Sequence, residues 1–148
     1  MNLASGSATL AVAIVVAALP AQAAEIGQIK VSKGAVSVER SGQSLAGSVG
    51  LRLETADIVK TGADGTAGIT MGDNSLVSLG PNSILALERF DYEPTTSQGR
   101  FDAQLQRGTL AVVSGRIAKQ SPQAMTVRTP SAALAVRGTE FVVAAQGD

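Results

Sequence analysis

The sequence predicts an all-β protein: a single domain of many short strands, arranged as a β-solenoid-like roll or a compact sandwich. Three observations carry this. From Gln28 onward, apolar residues recur with period two, the signature of half-buried strands. The apolar runs end at Gly, Asn, Asp or Pro, the residues that turns require. No stretch beyond residue 24 keeps a 3.6-residue period over eleven or more positions, so helix is a minor component at most. Aromatic residues make up only 3% of the 148-residue chain, namely Phe90, Tyr92, Phe101 and Phe141. A core of Val, Ile, Leu and Ala suits a narrow interior and tilts the expectation toward the solenoid-like roll.

Taken in order, the chain opens with an address. No charged residue precedes Glu25, and residues 10–19 (LAVAIVVAAL) form a short apolar run that stops at Pro20. Ala21-Gln22-Ala23 then supplies the small-x-small pattern of a signal-peptidase site. The expectation is a signal peptide over 1–23, cleaved after Ala23, and a domain over 24–148. The run is about half the ~20 apolar residues a membrane span needs, so no stable span is expected in the mature chain. No Cys follows the small residues, so a lipid anchor at this site is ruled out.

In the mature chain, Val36 and Val38 flank Ser37, and Ile69 and Met71 flank Thr70. The most regular stretch, 66–87, reads TAGITM, GDN, SLVSL, GPNS, ILAL, with Asp73-Asn74 and Pro81-Asn82 as turns eight residues apart. Strands of about five residues follow from that spacing. Residues 91–100 (DYEPTTSQGR) are polar, hold Pro94 and Gly99 and do not alternate, so they read as a surface loop. Phe101, Ala103 and Leu105 then alternate with Asp102, Gln104 and Gln106. Residues 120–123, around Pro122, read as a shorter loop. Met125 with Val127, and Leu134 with Val136, close the pattern. Neither loop divides the chain, because each flank is too small to bury its own core.

Composition excludes several chemistries. Twelve basic and twelve acidic residues cancel without forming runs, and a nucleic-acid binder wants a basic face with stacking rings. Without Cys or His there is no disulfide framework, no thiolate or imidazole metal site and no His-dependent triad. No cofactor is expected. Asp73, Asn74 and Asn82 offer oxygen ligands, yet the calcium-loop spacing is not met and turn roles suffice. Ser114 near Lys119, and Asp57 near Lys60, match no nucleophile and base arrangement, and no phosphate loop or nucleophile elbow is present. The chain is not expected to be an enzyme.

Five motifs, in order, resemble the FecR domain: GAVSVERSG at 34–42, ADIVKTGADGTAGI at 56–69, GDNSLVSLGPNSIL at 72–85, RGTLAVVSG at 107–115 and VRTPSAALAVRGTEFVV at 127–143. The resemblance covers about residues 27–145, with Ala56 standing where a glycine is expected. It implies an all-β envelope module, periplasmic or at the cell surface. In the namesake role, a membrane-spanning protein of this kind relays a receptor's iron-siderophore signal to a cytoplasmic sigma factor. That role needs a cytoplasmic segment, a span and a receptor-facing region, which this sequence does not display, so the mechanism is not transferred whole.

The sharpest local feature is Arg137-Gly138-Thr139-Glu140-Phe141. Arg137, Thr139 and Glu140 offer a polar docking surface for a partner. The competing reading is structural, with Gly138 at a corner, Phe141 in the core and Arg137 satisfying carbonyls. The apolar runs 110–113 and 141–143 read as core strands, the last strand being the likelier sheet edge. The expected function is a non-catalytic, exported protein-interaction module linked to envelope signalling, partnered by another envelope protein. The alternative is a cell-wall or polysaccharide-binding module, which the scarcity of aromatic platforms disfavours.

Overall fold

Phe101, Ala103 and Leu105 are all buried, while Asp102, Gln104 and Gln106 between them stay partly exposed. Alternation of this kind is what lets one face of a strand leave water while the other stays solvated. It recurs through the computed structural model, which describes residues 6–18, 24–135 and 140–146.

The first strands are β1 (Glu25–Lys33), β2 (Val36–Arg40), β3 (Gln43–Ala46), β4 (Arg52–Glu54), β5 (Ile58–Thr61) and β6 (Thr66–Met71). Next come β7 (Leu76–Leu79), β8 (Ile84–Glu93) and the 16-residue β9 (Gln98–Val113). A short helix α1 (Arg116–Gln120) and a 3-10 turn (Pro122–Ala124) lead into β10 (Met125–Arg128), β11 (Ala133–Ala135) and β12 (Glu140–Ala145). The expectation of an all-β domain of many short strands holds. All twelve strands belong to one curled sheet.

Strand β9 organises that sheet. Its C-terminal part pairs with β7 on one side and β12 on the other, completing a leaf ordered β4-β1-β6-β7-β9-β12. Its N-terminal part pairs with β8 and β10, completing a second leaf ordered β3-β2-β5-β8-β9-β10-β11. The first is called leaf A below and the second leaf B. The strand changes leaf at Gly108, whose φ of 97° only glycine adopts without strain. Apolar side chains from both leaves meet in one core, among them Ile29, Ile69 and Leu110 from A and Val59, Leu85 and Leu105 from B. Apart from β9 with β10, every ladder is antiparallel. A β-solenoid stacks parallel coils, so the curl arises differently here, from one long strand shared by two leaves.

The surface-loop reading of 91–100 is corrected. These residues carry the β8–β9 hairpin outward, with Asp91 opposite Arg100, Tyr92 opposite Gly99 and Glu93 opposite Gln98. The turn is confined to 94–97, with Ser97 at a φ of 58°. Alternation fails there because the hairpin tip extends past the core, so neither face must be apolar. Residues 120–123 are likewise occupied by the end of α1 and the 3-10 turn.

The apolar run of the leader stays outside this core. Within 6–18 there is no strand or helix, and Leu10, Ile14, Val15 and Val16 are more than 80% exposed. Among the described residues, no helix is long and apolar enough to cross a membrane.

Candidate functional site

Four polar residues singled out in the sequence, Asp57, Asp73, Asn74 and Asn82, sit in the turns of the scaffold. Asp57 is 1% exposed and receives Nε of Arg40 at 2.9 Å and a terminal guanidinium nitrogen at 2.7 Å, plus the Glu54 N–H at 2.9 Å. Asp73, fully buried, accepts Ser75 N–H and Ser75 Oγ–H and the Ile117 N–H of α1. Asn74 and Asn82 occupy turn positions with φ of 69° and 53°. Each of these polar groups therefore fixes a loop, in line with the turn reading.

The two leaves differ on their outer faces. On leaf B, outward side chains are charged and largely paired, across strands for Lys60 with Glu39 at 2.5 Å and Arg128 with Glu88, and along β9 for Arg100 with Asp102 at 2.8 Å. On leaf A the register brings Val31, Gly68, Ser78, Ala111 and Val142 into one row across five neighbouring strands. The middle members of this row carry little or no side chain, and Val31 and Val142 are 46% and 73% exposed at its ends. A trough of about 460 Å³ results. The flanking rows bring Thr70, Leu76 and Val113 on one side and Thr66 and Thr109 on the other. Among the described residues, charge lies at the margin, at Lys30, Lys33, Arg52 and Glu140. A surface this poor in charge suits a partner more than bulk water.

Strand β12 borders the trough. Among the described residues it pairs only with β9, so its other side is an open edge. Val143 is buried and Phe141 half-buried, while Glu140, Val142 and Ala144 face out. Both sequence readings of this segment thus find a place: core on one face, exposed edge on the other. Of the docking residues expected from sequence, Glu140 stands exposed at the corner of the trough's face. Arg137 and Thr139 lie outside the described residues. The run 110–113 is a central strand with Leu110 and Val112 buried, and its Ala111 belongs to the trough. Sequence reasoning missed the row itself. Its only trace was the choice of Gly68, Ser78 and Ala111 at outward positions, which become neighbours only once the register is known.

A second concavity, of about 690 Å³, lies where the β8–β9 hairpin reaches over the start of β1. Phe90 supports it: its ring stands edge-on to Phe101 at 5.3 Å, and a β-carbon on Gly72 would touch it at 3.4 Å. Tyr92 lines the groove and its buried hydroxyl has no hydrogen-bond partner. Glu25, Asp91 and Glu93 give the groove its charge. The Glu93 carboxyl is held below the usual range, first by the Thr95 backbone N–H and then by the Thr95 hydroxyl. Phe90, Tyr92 and Phe141 are partly buried and Phe101 is buried.

In comparisons with known proteins, the family model described as "FecR protein" matches residues 57–148. The match starts at Asp57, later than the resemblance read from the motifs, and leaves 34–42 outside it. No curated protein and no solved structure matches the chain.

Proposed function

This chain belongs to the FecR family, and from that premise we propose that it is an exported, non-catalytic protein-interaction module acting in envelope signalling. The family is a regulatory one associated with envelope signalling. In this reading residues 1–23 are a leader cut after Ala23. Residues 24–148 then work in the periplasm or at the cell surface, against another envelope protein. The exposure of the leader's apolar run outside the core supports the first part, because its removal costs the fold no buried contact.

The charge-free row from Val31 to Val142, ending on the open edge of β12, carries the interaction reading. A partner strand added to β12 would gain backbone hydrogen bonds from the edge. Its side chains would extend the trough, where nothing charged has to be desolvated. Arg137 and Thr139, which lie outside the described residues, join Glu140 in this proposal as docking residues; charge in such a role contributes specificity and association rate more than affinity.

The test is site-specific photocrosslinking from position 142 of the tagged chain in intact cells, read by mass spectrometry. One dominant envelope protein is expected. Ser78→Lys or Ala111→Lys should abolish its capture without lowering Tm, while Gln104→Lys on the outer face of leaf B should leave capture intact. Equal capture by all three variants would dismiss leaf A as the interaction face.

A further inference from the structure

Two independent features meet at the start of β1. The sequence places a signal-peptidase site between Ala23 and Ala24, and Ala24 lies in the wall of the hairpin groove with Glu25, Asp91 and Glu93. Cleavage there changes the chemistry of one atom. In the precursor the Ala24 nitrogen is an uncharged amide. After hydrolysis of the Ala23–Ala24 bond, water supplies OH to Ala23 and H to Ala24, and the new amine takes up a proton to become an ammonium with three donors.

The charged groups of the groove wall come from two strands, β1 and β8, and Arg100 of β9, opposite Asp91, is engaged by Asp102 at 2.8 Å. On β1, Glu25 pairs with Arg52 of β4 at 3.5 Å. On β8, Asp91 is engaged by Arg89 at 2.7 Å. Glu93, also on β8, accepts the Thr95 N–H at 3.0 Å and has no cationic partner among the described residues. The remaining groove wall from β9, Gln98 and Gly99, is neutral. The groove thus carries a carboxylate without a counter-charge, and its wall also holds the residue whose nitrogen cleavage makes cationic.

We propose that this groove is the seat of the mature N-terminus: the α-ammonium released at Ala24 is held by the Glu93 carboxylate, with Asp91 beside it. Leader removal then adds an ionic tie between the start of β1 and the tip of the β8–β9 hairpin. The precursor lacks this tie, so cleavage completes the folded domain as well as releasing it. The inference rests on the export reading for its occurrence in cells, but its chemistry is testable apart from it.

An α-amine ordinarily titrates near 7.7–8.0, and an adjacent carboxylate raises that value. The resulting stabilisation is fully present below the unfolded pKa and is lost as pH rises through the folded one. Residues 24–146 contain the entire described core, so the mature chain can be studied alone. A fusion protease that leaves no extra residue gives chain 24–148 with a free Ala24 amine. Comparators are the same chain with Gly-Ser in front, and the free-amine chain carrying Glu93→Gln. The α-amine of each is titrated by NMR.

The free Ala24 amine should titrate at least about half a unit above that of the Gly-Ser chain, and Glu93→Gln should remove most of the difference. Equal values in the first two chains, or no effect of Glu93→Gln, would overturn the proposal. Intact mass of the chain recovered from a periplasmic fraction separates the two levels. A cut at Ala24 with an ordinary amine pKa refutes the tie alone. A cut elsewhere, or none, refutes the processing site and the tie's occurrence in cells, whatever the amine titration shows.

Discussion

A β-carbon placed on Gly108 would sit 2.1 Å from Oγ of Ser83, and Ser83 is where the β7–β8 turn passes from leaf A to leaf B beside the bend in β9. The Ser83 hydroxyl donates to Gly80 O at 2.8 Å and accepts the Thr109 N–H at 3.0 Å. These two of the chain's crossings between the leaves are therefore pinned at one point. Gly108→Ala combines a positive φ with a collision against a buried side chain. We expect a loss of about 3 kcal/mol, or about 10 °C in Tm for a domain of this size. A loss under about 1 kcal/mol by urea denaturation would mean that β9 bends without this contact.

Ala56 stands at a φ of 74° in a turn closed by Asp57 N–H to Glu54 O at 3.1 Å. The left-handed region strains an L-residue and suits glycine. This accounts for the expectation of glycine from the motif. Ala56→Gly should stabilise the domain by about 0.5 kcal/mol, the relieved strain exceeding the added chain entropy. The check is a higher urea midpoint at unchanged m; a lower midpoint refutes it.

The Arg40–Asp57 pair is unequal, with side chains 28% and 1% exposed. Hydrogen bonding to Asp57 is the main reason the Arg40 pKa is raised, and desolvation opposes it. Removing the cation strands a buried carboxylate, whereas removing the carboxylate lets Arg40 turn to water. Arg40→Met should thus cost about 3 kcal/mol and Asp57→Asn about half as much. The reverse order would show that the burial asymmetry does not govern the pair.

Tyr92 hides its hydroxyl without a partner. A desolvated donor carries a penalty that a phenyl ring avoids. Tyr92→Phe should raise stability by up to about 1 kcal/mol, and a fall in Tm would reveal a hydrogen bond made in solution.

Glu93 provides a pH signature. Its carboxyl pKa is lowered, chiefly by the Thr95 backbone N–H. The associated stability is therefore present above the unfolded pKa and lost as pH falls through the folded one. Carbon-13 titration should place its midpoint below the ordinary glutamate range. Thr95→Ala should raise it only partway, because the backbone donor remains. Full reversion would assign the effect to the hydroxyl.

Much of this protein was legible in one dimension. Alternation at Phe101, Ala103 and Leu105, and at Ile69 and Met71, specified strands and their inward faces, because a period of two leaves one solution for burying apolar side chains. Turns at Asp73-Asn74 and Pro81-Asn82 were legible for the same local reason, positive φ at asparagines that tolerate it. The family, too, could be read from motifs in order. The hairpin at 91–100 was not, because a strand that projects beyond the core has no apolar face to betray it. Nor was the row Val31, Gly68, Ser78, Ala111, Val142, whose members are scattered over more than a hundred positions. Only the antiparallel register aligns them, and register is set by which strands pair and where β9 bends. Sequence thus determined the strands, their buried faces and the family. Tertiary structure decided the two leaves, their unlike outer surfaces and the grooves, since non-local pairing has no periodic trace in the chain.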